Sequence, residues 1–514
     1  MVSRGGSMAG EPWVGAQITD PGEDVDLRRR AKIVYGTFAV SAFCALGLGG
    51  AAAVAQQVQL EPGISVQESY SDNVDRDPRS LREDAFITDV IPSVTLRWSG
   101  NRVTTAVDAA STFRHQTGGE DKGLSVLPNA AGLGSAEIWQ DHLFFDASAA
   151  VSTELLNTQE NDTDSNRSTV QTYNASPRLL GSFSDFADVE TFYSFTQVFE
   201  DGGSDAADSD VGNTTTHAIG GTLSSGPDFT RLRWAFNASA SEQDSDNDDD
   251  VSRRNVGLDL EYIVDRSFSG LGGVGYEFFD DGDSGNDISG LTWNVGFRWR
   301  PGSRTDITAT FGRRDDDQSF DVDARHQLSP QTSIFARYEE TLETGDERLA
   351  EDLSFLGTDP ETGQLIDTRT GQPFDPSTNI TTTDDDTQRT RTFTAGINGT
   401  RGRNTFGVSG RAEFTRDVGS AASNDEEDAY GVSVNWGRRL TPRANLDTSF
   451  DYFRNEFKNS SRTDNQYEAG FVYSYNLFRN LNAFGAYDFG VQTSDDKQEE
   501  FLENRVTLGV SVRF

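Results

Sequence analysis

The chain has 514 residues, with 83 acidic against 44 basic side chains, a net charge of −39, one cysteine, 50 glycines and only 35% hydrophobic residues. The lone Cys44 allows no intramolecular disulfide and no cysteine-built zinc site, and so large a negative charge excludes nucleic acid as a partner, because polyphosphate binding needs an excess of Lys and Arg. Length alone suggests about three domains, but an all-β architecture can run long as one unit, so patterning decides.

The N-terminus reads as an address. Arg28, Arg29, Arg30 and Lys32 precede an apolar run from Ile33 to Leu48, and Ala53-Val54-Ala55 stands just before Gln56. A charged region, an apolar core and an A-x-A site are the order of a secretory signal peptide, so residues 1–55 read as a polar lead and signal and residues 56–514 as the mature chain. The apolar run of 16 residues is short for a membrane span, which needs about 20; this disfavours an uncleaved anchor. Ser41 stands where a lipoprotein would carry leucine before its cysteine. Cleavage removes five basic and five acidic side chains, leaving −39 on a cysteine-free mature chain, as suits export without disulfides.

Beyond the signal the apolar residues recur at period two. Leu232, Trp234 and Phe236 alternate with polar or small neighbours, as do Val256, Leu258, Leu260 and Tyr262, then Trp293, Val295, Phe297 and Trp299, then Tyr430, Val432, Val434 and Trp436, and then Phe471, Tyr473, Tyr475 and Leu477. Successive side chains on a strand point to opposite faces, so each segment has one apolar and one polar face. A soluble sandwich and a membrane barrel share that pattern.

Connection lengths separate them. Short links fall at Ser99-Gly100-Asn101, Gln140-Asp141, Ser184-Asp185, Gly226-Pro227-Asp228, Asp265-Arg266, Pro301-Gly302-Ser303, Ser329-Pro330-Gln331, Arg401-Gly402, Thr441-Pro442 and Arg479-Asn480. Between them lie longer, mostly acidic links over 71–84, 115–131, 156–168, 200–213, 242–252, 280–287, 315–319, 342–388, 417–428, 458–464 and 493–499. Ten short and eleven long links in alternation predict an all-β fold, a transmembrane antiparallel up-and-down barrel of about 22 strands (range 18–22), with tight periplasmic turns and long acidic external loops. The even count places both mature ends on the periplasmic side of a Gram-negative outer membrane. Arginines such as Arg97, Arg231, Arg300, Arg403 and Arg439 flank the short turns, while runs such as Asp244 to Asp250 occupy the long loops.

The chain ends on an apolar stripe, Val506, Leu508, Val510, Val512 and Phe514, interrupted by Thr507, Gly509, Ser511 and Arg513. That strand resembles the terminal assembly signal that outer-membrane proteins present to the barrel assembly machinery. A stripe of this kind also suits any amphipathic last strand.

A family resemblance is carried by Ile64 to Val74, with Tyr70-Ser71-Asp72-Asn73, by Phe86, and by Ile91-Pro92-Ser93-Val94-Thr95-Leu96. These resemble the opening of the outer-membrane β-barrel porin families of the porin 2 type, whose first strand ends in a Tyr-x-Asp-Asn motif and whose second passes through a proline. Ser176 to Phe183 is similar to an internal strand of the branch associated with PEP-CTERM and exopolysaccharide systems. The resemblance implies an outer-membrane location, with lipid and lipopolysaccharide as surroundings and exopolysaccharide or its export components as partners. Its motifs cover about 40 residues.

Catalytic chemistry is hard to find. His115, His142, His217 and His326 are scattered, with no H-E-x-x-H. There is no G-x-S-x-G elbow and no P-loop, and Gly282-Asp283-Ser284-Gly285 sits in an acidic link without a nearby histidine. The chain therefore reads as a non-enzyme without a cofactor. Asp244, Asp246, Asp248 and Asp250 alternate in a way that suits loose Ca2+ binding by carboxylates, although the run lacks the glycine and terminal glutamate of an EF-hand. The expected lumen-lining residues are Arg298, Arg337, Arg505 and Arg513 with Asp259, Glu261, Asp306, Asp447 and Asp451, and their mixed signs imply weak ion selectivity. The link 342–388 carries Leu353, Phe355, Leu356, Leu365, Ile366 and Phe374; it suits either a lumenal constriction or an external cap. The function expected is a channel or porin-like component linked to exopolysaccharide export. The alternative is a non-conducting, adhesive surface barrel whose acidic loops bind polysaccharide or divalent cations. A barrel lipase or protease is disfavoured, since no nucleophile pairs with a base.

Overall fold

A computed structural model describes residues 57–155, 167–202, 213–246, 250–280, 282, 288–359, 364–368, 374, 387–418, 426–458 and 460–514. The expected signal segment, residues 1–55, lies outside the described residues.

Strands form wherever the period-two pattern runs, because alternation lets one face meet hydrocarbon while the other stays wet. In chain order they are β1 (Gln57–Ser71), β2 (Ala85–Ser99), β3 (Val103–Gln116), β4 (Gly123–Trp139), β5 (Leu143–Leu155), β6 (Arg167–Phe183), β7 (Ala187–Gly202) and β8 (Asn213–Ser225). There follow β9 (Leu232–Ser245), β10 (Val251–Ile263), β11 (Phe268–Asp280), β12 (Ile288–Gly302), β13 (Thr305–Arg314), β14 (Asp317–Ser329) and β15 (Thr332–Glu343). A helix α1 (Gly345–Ser354) and a small hairpin, β16 (Leu356–Thr358) with β17 (Leu365–Asp367), interrupt the series. It resumes with β18 (Gln388–Arg401), β19 (Asn404–Asp417), β20 (Glu426–Thr441), β21 (Ala444–Phe457), β22 (Arg462–Asn476), β23 (Leu481–Ser494) and β24 (Phe501–Arg513).

Leaving out the small hairpin, each strand pairs antiparallel with its chain neighbours, and β1 pairs with β24 from Gly63 opposite Arg513 to Ser71 opposite Arg505. The result is a closed barrel of 22 strands. At an inter-strand spacing of about 4.8 Å and a tilt near 40°, such a cylinder is about 44 Å across its backbone. All ten expected short links are the tight turns of one rim. At Arg401 and Asn404, which face each other across the ladder, the turn needs Gly402 at φ 64°, a conformation that a side chain disfavours.

Three expected long links are shorter than the sequence suggests. The strand β4 starts at Gly123, inside the expected 115–131 link, and β9 continues to Ser245, inside 242–252. The expected 315–319 link is a two-residue hairpin turn, with Asp315 and Asp316 both at positive φ. Strands here extend past the hydrocarbon zone, where alternation is no longer required.

The outward face is apolar. Val58, Leu60, Ile64, Val66 and Tyr70 of β1 are exposed, as are Val256 to Tyr262 at alternate positions of β10 and Trp293 to Trp299 at alternate positions of β12. From Val58 to Tyr70 is twelve steps, about 40 Å along the strand and about 30 Å along a barrel axis at the usual tilt. Aromatic pairs mark both edges of this band. Trp139 with His142 and Phe186 with Phe229 and Trp234 lie beside the short turns, while Tyr70 with Phe86 and Phe320 with Tyr338 lie toward the other rim. These are the interfacial girdles of a membrane barrel.

The first-to-last seam is held by side chains as well as by the ladder. Ser69 and Thr507 share a hydrogen bond of 2.8 Å between hydroxyls, and the Ser71 hydroxyl donates to Glu503 at 2.7 Å. Asn73 is fully buried; its amide donates to the Asp77 carbonyl at 2.8 Å and the Leu502 carbonyl at 3.2 Å, and its side-chain oxygen accepts from the Asp77 N–H. The Asp72 carboxylate accepts from the backbone and side chain of Asn504 at 2.8 and 2.9 Å and meets Arg82 at 3.0 Å. Burial raises the Asp72 carboxyl, but these donors outweigh it and hold the group below the usual carboxylate range. The Tyr-x-Asp-Asn motif thus ends β1 and ties it to β24.

Candidate functional site

The inward face is polar, and its charges follow from the strand register. On β10 the exposed row Val256, Leu258, Leu260 and Tyr262 leaves Asp259 and Glu261 inward. The Asp259 carboxylate accepts from the Asn237 amide at 2.8 Å, and Glu261 meets Arg233 at 3.6 Å. On β12 and β13, Arg298 forms a two-pronged pair with Asp306, at 3.0 and 2.6 Å. Arg337 of β15 pairs with Glu339 at 2.6 Å, and Arg505 of β24 with Glu503 at 2.8 Å. Asp447 and Asp451 lie inward on β21, Asp447 beside Gly437 of the neighbouring strand. Arg513 lies on the inward face of β24 beside Gly63.

A strap crosses this lumen. Pairing of β14 with β15 stops at Val322 opposite Tyr338, whereas β15 stays paired with β18 as far as Glu343 opposite Gln388. The upper end of that pair leans inward and places Leu342 against Val251 and Phe279 of β10 and β11. From there α1 begins with a capping box: Thr344 Oγ1 accepts from the Glu347 N–H, and the Glu347 carboxylate accepts from the Thr344 N–H, both at 3.2 Å. Glu347 is also held by Arg253 at 3.0 Å. Leu349 then packs on Val170 and Val198 of β6 and β7. Leu353 and the hairpin residues Leu356 and Leu365 pack on Ala106 of β3 and Ala131 of β4, joined by Phe374. In a ring of 22 strands, β5 lies half a turn from β18, so the strap spans the bore. Of the two placements open for the link 342–388, its described residues 345–359, 364–368 and 374 take the lumenal one.

Two cavities flank the strap. One of about 1120 Å³ lies among Asn174, Thr196, Asn237, Asn255, Asp259 and Asn294. The other, of about 1070 Å³, lies among Arg337, Glu339, Phe335, Thr394, Arg411 and Asn435. Glu343 and Glu351 border both. Amides, hydroxyls and paired charges line them, a surface that hydrogen-bonds water or polyhydroxylated solutes.

The other sequence candidates are dispersed. Asp244 pairs in the ladder with Thr215, Asp246 accepts from the Asn213 amide at 2.9 Å, Asp250 is exposed, and Asp248 lies outside the described residues. Among the described residues no three His, Cys, Asp or Glu side chains gather to hold a metal ion. Each histidine has a local partner: His115 the Gly123 carbonyl, His142 the Leu180 carbonyl, His217 the Tyr193 hydroxyl and His326 the Thr305 hydroxyl. Of Gly282-Asp283-Ser284-Gly285, residues 283–285 lie outside the described residues. Val506, Leu508 and Val510 are exposed on the outward face of β24, with Val512 in the same row, and Phe514 closes the stripe, its N–H donating to the Pro62 carbonyl at 2.8 Å. What sequence reading missed is α1 and its anchors. Thr344-x-x-Glu347 followed by Leu349 and Leu353 was the available sign, an N-terminal box leading into an apolar i, i+4 pair.

No curated protein matches the chain in sequence. Among solved structures it is similar to the FrpB iron transporter from Neisseria meningitidis (F5-1 variant, apoprotein form), with 10% identity, TM-score 0.50, and 88% of this chain and 81% of that chain covered. It is also similar to the siderophore receptor PirA from Acinetobacter baumannii, at 8% identity and TM-score 0.49 over 89% of this chain and 81% of that one. The likeness to FrpB is one of fold alone. Residues 405–514 match the family model described as "Putative beta-barrel porin 2", so the porin 2 resemblance is shown over the last six strands, at the opposite end of the chain from the Tyr70 to Asn73 motif.

Proposed function

We propose that this chain is a porin-like channel of the outer membrane whose bore is narrowed by its own strap, and that its cargo is a polyhydroxylated polymer of the exopolysaccharide kind. The observation that carries the reading is the wet interior of a closed barrel whose exterior is apolar: a polar bore about 44 Å across at the backbone has no use as a packed core. The amide and hydroxyl lining around Asn174, Asn237, Asn255 and Asn294 supports a neutral, hydroxyl-rich cargo. The chain acts without chemistry of its own in this reading, and lipid and lipopolysaccharide surround it. Its last strand, Val506 to Phe514, is the segment offered to the assembly machinery.

A second reading is favoured by the strap itself. An obstructed barrel serves as an anchor, and the acidic long links then bind polysaccharide or bridge to it through loosely held Ca2+. Planar-bilayer recording of the purified mature chain decides between them. Discrete, stable conductance steps support the channel; a silent bilayer, with correctly folded barrel and polysaccharide retained by the long links, overturns it in favour of the anchor.

A further inference from the structure

The mixed charges of the lumen resolve into two unlike walls. From β2 to β19 the inward arginines sit in pairs: Arg97 with Asp108 at 2.7 Å, Arg114 with Asp89 at 3.0 Å, Arg178 with Asp146 at 3.0 Å, Arg298 with Asp306 at 2.6 Å and Arg337 with Glu339 at 2.6 Å. Each pair is close to neutral at a distance, so the field this wall offers a passing ion comes from its scattered single carboxylates, Asp259, Glu277 and Asp321.

The wall from β20 to β23 differs. Its inward row holds Glu427, Asp447, Asp451, Asp464, Glu468 and Asp488. Between Arg439 at one rim and Arg462 at the other, no Arg or Lys stands on the inward positions of these four strands. Arg462 is taken up by Asp464 at 2.9 Å, and Arg76 divides itself between Glu468 at 3.3 Å and Glu503 at 3.1 Å. Among the described residues, Asp447 and Asp451 have no ion-pair partner, and Asp488 stands opposite Arg505, a guanidinium that Glu503 takes up at 2.8 Å. Asp451 and Glu468 face each other directly across the ladder; Arg76 reaches Glu468, while Asp451 keeps a like-charged neighbour, which costs stability and which a mobile cation relieves.

The strap makes this wall matter. Its apolar anchors fall on β3, β4, β6, β7, β10 and β11, and neither lumenal cavity beside it is lined by a residue of β21–β24. The obstruction therefore stands over the paired wall. At about 0.1 M salt a wall charge reaches about 10 Å into solution, so a solute moving along β20–β23 feels the carboxylates while those beyond the strap are screened.

We propose that the channel is cation-selective, with positively charged solutes passing along the β20–β23 wall over Asp447, Asp451, Glu468 and Asp488. The inference rests on the channel reading above and adds the charge of what passes. Rings or tracks of carboxylates select cations in pores generally.

The test is the reversal potential of the mature chain in a planar bilayer under a KCl gradient at about 0.1 M. The expected permeability ratio of K+ to Cl− is about 3 or more. In D447N/D451N/E468Q/D488N it falls to about 1 with conductance steps retained, and in R97Q/D108N, which removes a neutral pair, it stays at the wild-type value. The single variants Asp447→Asn and Asp451→Asn, each expected to lower the ratio part of the way, serve if the quadruple variant fails to fold. A wild-type ratio of 1 or below, or a ratio unmoved by removing the carboxylates, overturns the selectivity and leaves the channel standing. Absence of any conductance overturns both.

Discussion

The seam and the strap both begin where a strand meets a long link, yet they are built from opposite materials. The seam joins β1 to β24 through short polar side chains that are themselves buried: Ser71 and Asn73 are fully enclosed, and Glu503 is 4% exposed. The strap is held to the wall by isolated apolar contacts, Leu349 in one place and Leu353, Leu356 and Leu365 in another, with the Arg253–Glu347 pair at its root. Buried hydrogen bonds demand partners in fixed positions and are costly to break singly, so the seam behaves as a joint. Small apolar contacts are non-directional and separable, so the strap behaves as something laid across the bore.

Four experiments set the joint against the strap. The largest effect is expected from excising 345–386 and bridging the gap with a short flexible linker. Single-channel conductance should rise roughly 5–10-fold, since an unobstructed 22-stranded bore exceeds a porin channel, while the unfolding midpoint in detergent stays at the wild-type value because the ladder is intact. A lowered midpoint with unchanged conductance would show the strap to be a structural brace.

Next comes Asn73→Ala, which strips partners from the Leu502 carbonyl and from both backbone groups of Asp77. Its expected cost is about 2–4 kcal/mol of global stability, read from urea unfolding in micelles. Leu353→Ala should cost the strap about 2–3 kcal/mol of local packing without moving the global midpoint; faster hydrogen exchange confined to Gly345–Ser354 is the signature.

The smallest effect concerns Asp75, in the link beside the seam. Burial pushes its carboxyl up to about 6; a hydrogen bond from the Glu120 N–H opposes the rise, and Asp77, Asp121 and Glu120 add to it. A folded-state value above the ordinary 3.8 means that the folded link binds the proton more tightly than the unfolded chain. The link is therefore most stable below about pH 4, loses stability progressively from pH 4 to 6, and bears the full penalty above that. Asp75→Asn should remove this dependence, so that wild type falls behind the variant by about 1–2 kcal/mol between pH 4 and 7 in unfolding titrations. Parallel curves for the two proteins would contradict the assignment.

How much of this could be read beforehand depended on contrast between the two faces of each strand. Where large apolar residues alternate with polar ones, as in Trp293 to Trp299 or Val506 to Val512, strand, facing and neighbouring turn were all legible. The turns were legible because Gly, Pro, Asn and Asp at those points serve specific backbone needs. Contrast fails along β4, whose Asn129-Ala130-Ala131-Gly132-Leu133-Gly134-Ser135-Ala136 is small on both faces and follows Pro128, a residue that weakens a strand assignment. It fails also at the end of β9, where Gln243, Asp244 and Ser245 stand above the hydrocarbon band. The strap was ambiguous for another reason. Its few apolar residues show that it packs on something, but which wall they meet is set by the register of strands as much as 250 residues away in sequence. The pairing of charges inside the barrel was not legible, because it depends on which arginine each carboxylate meets across the ladder, as Arg298 meets Asp306.

Closing the ring asks a great deal of a chain emerging in order. Ser69 meets Thr507 across 438 residues, a contact whose loop-closure entropy exceeds that of a ten-residue hairpin by about 3 kcal/mol. Until the final strand arrives, the growing sheet keeps two raw edges, each a row of unpaired peptide groups that invites the wrong neighbour. A buried polar latch at that last junction makes completion switch-like: a misregistered closure would strand Glu503 and Asn73 without partners, so near-misses are rejected and the finished cylinder does not readily reopen.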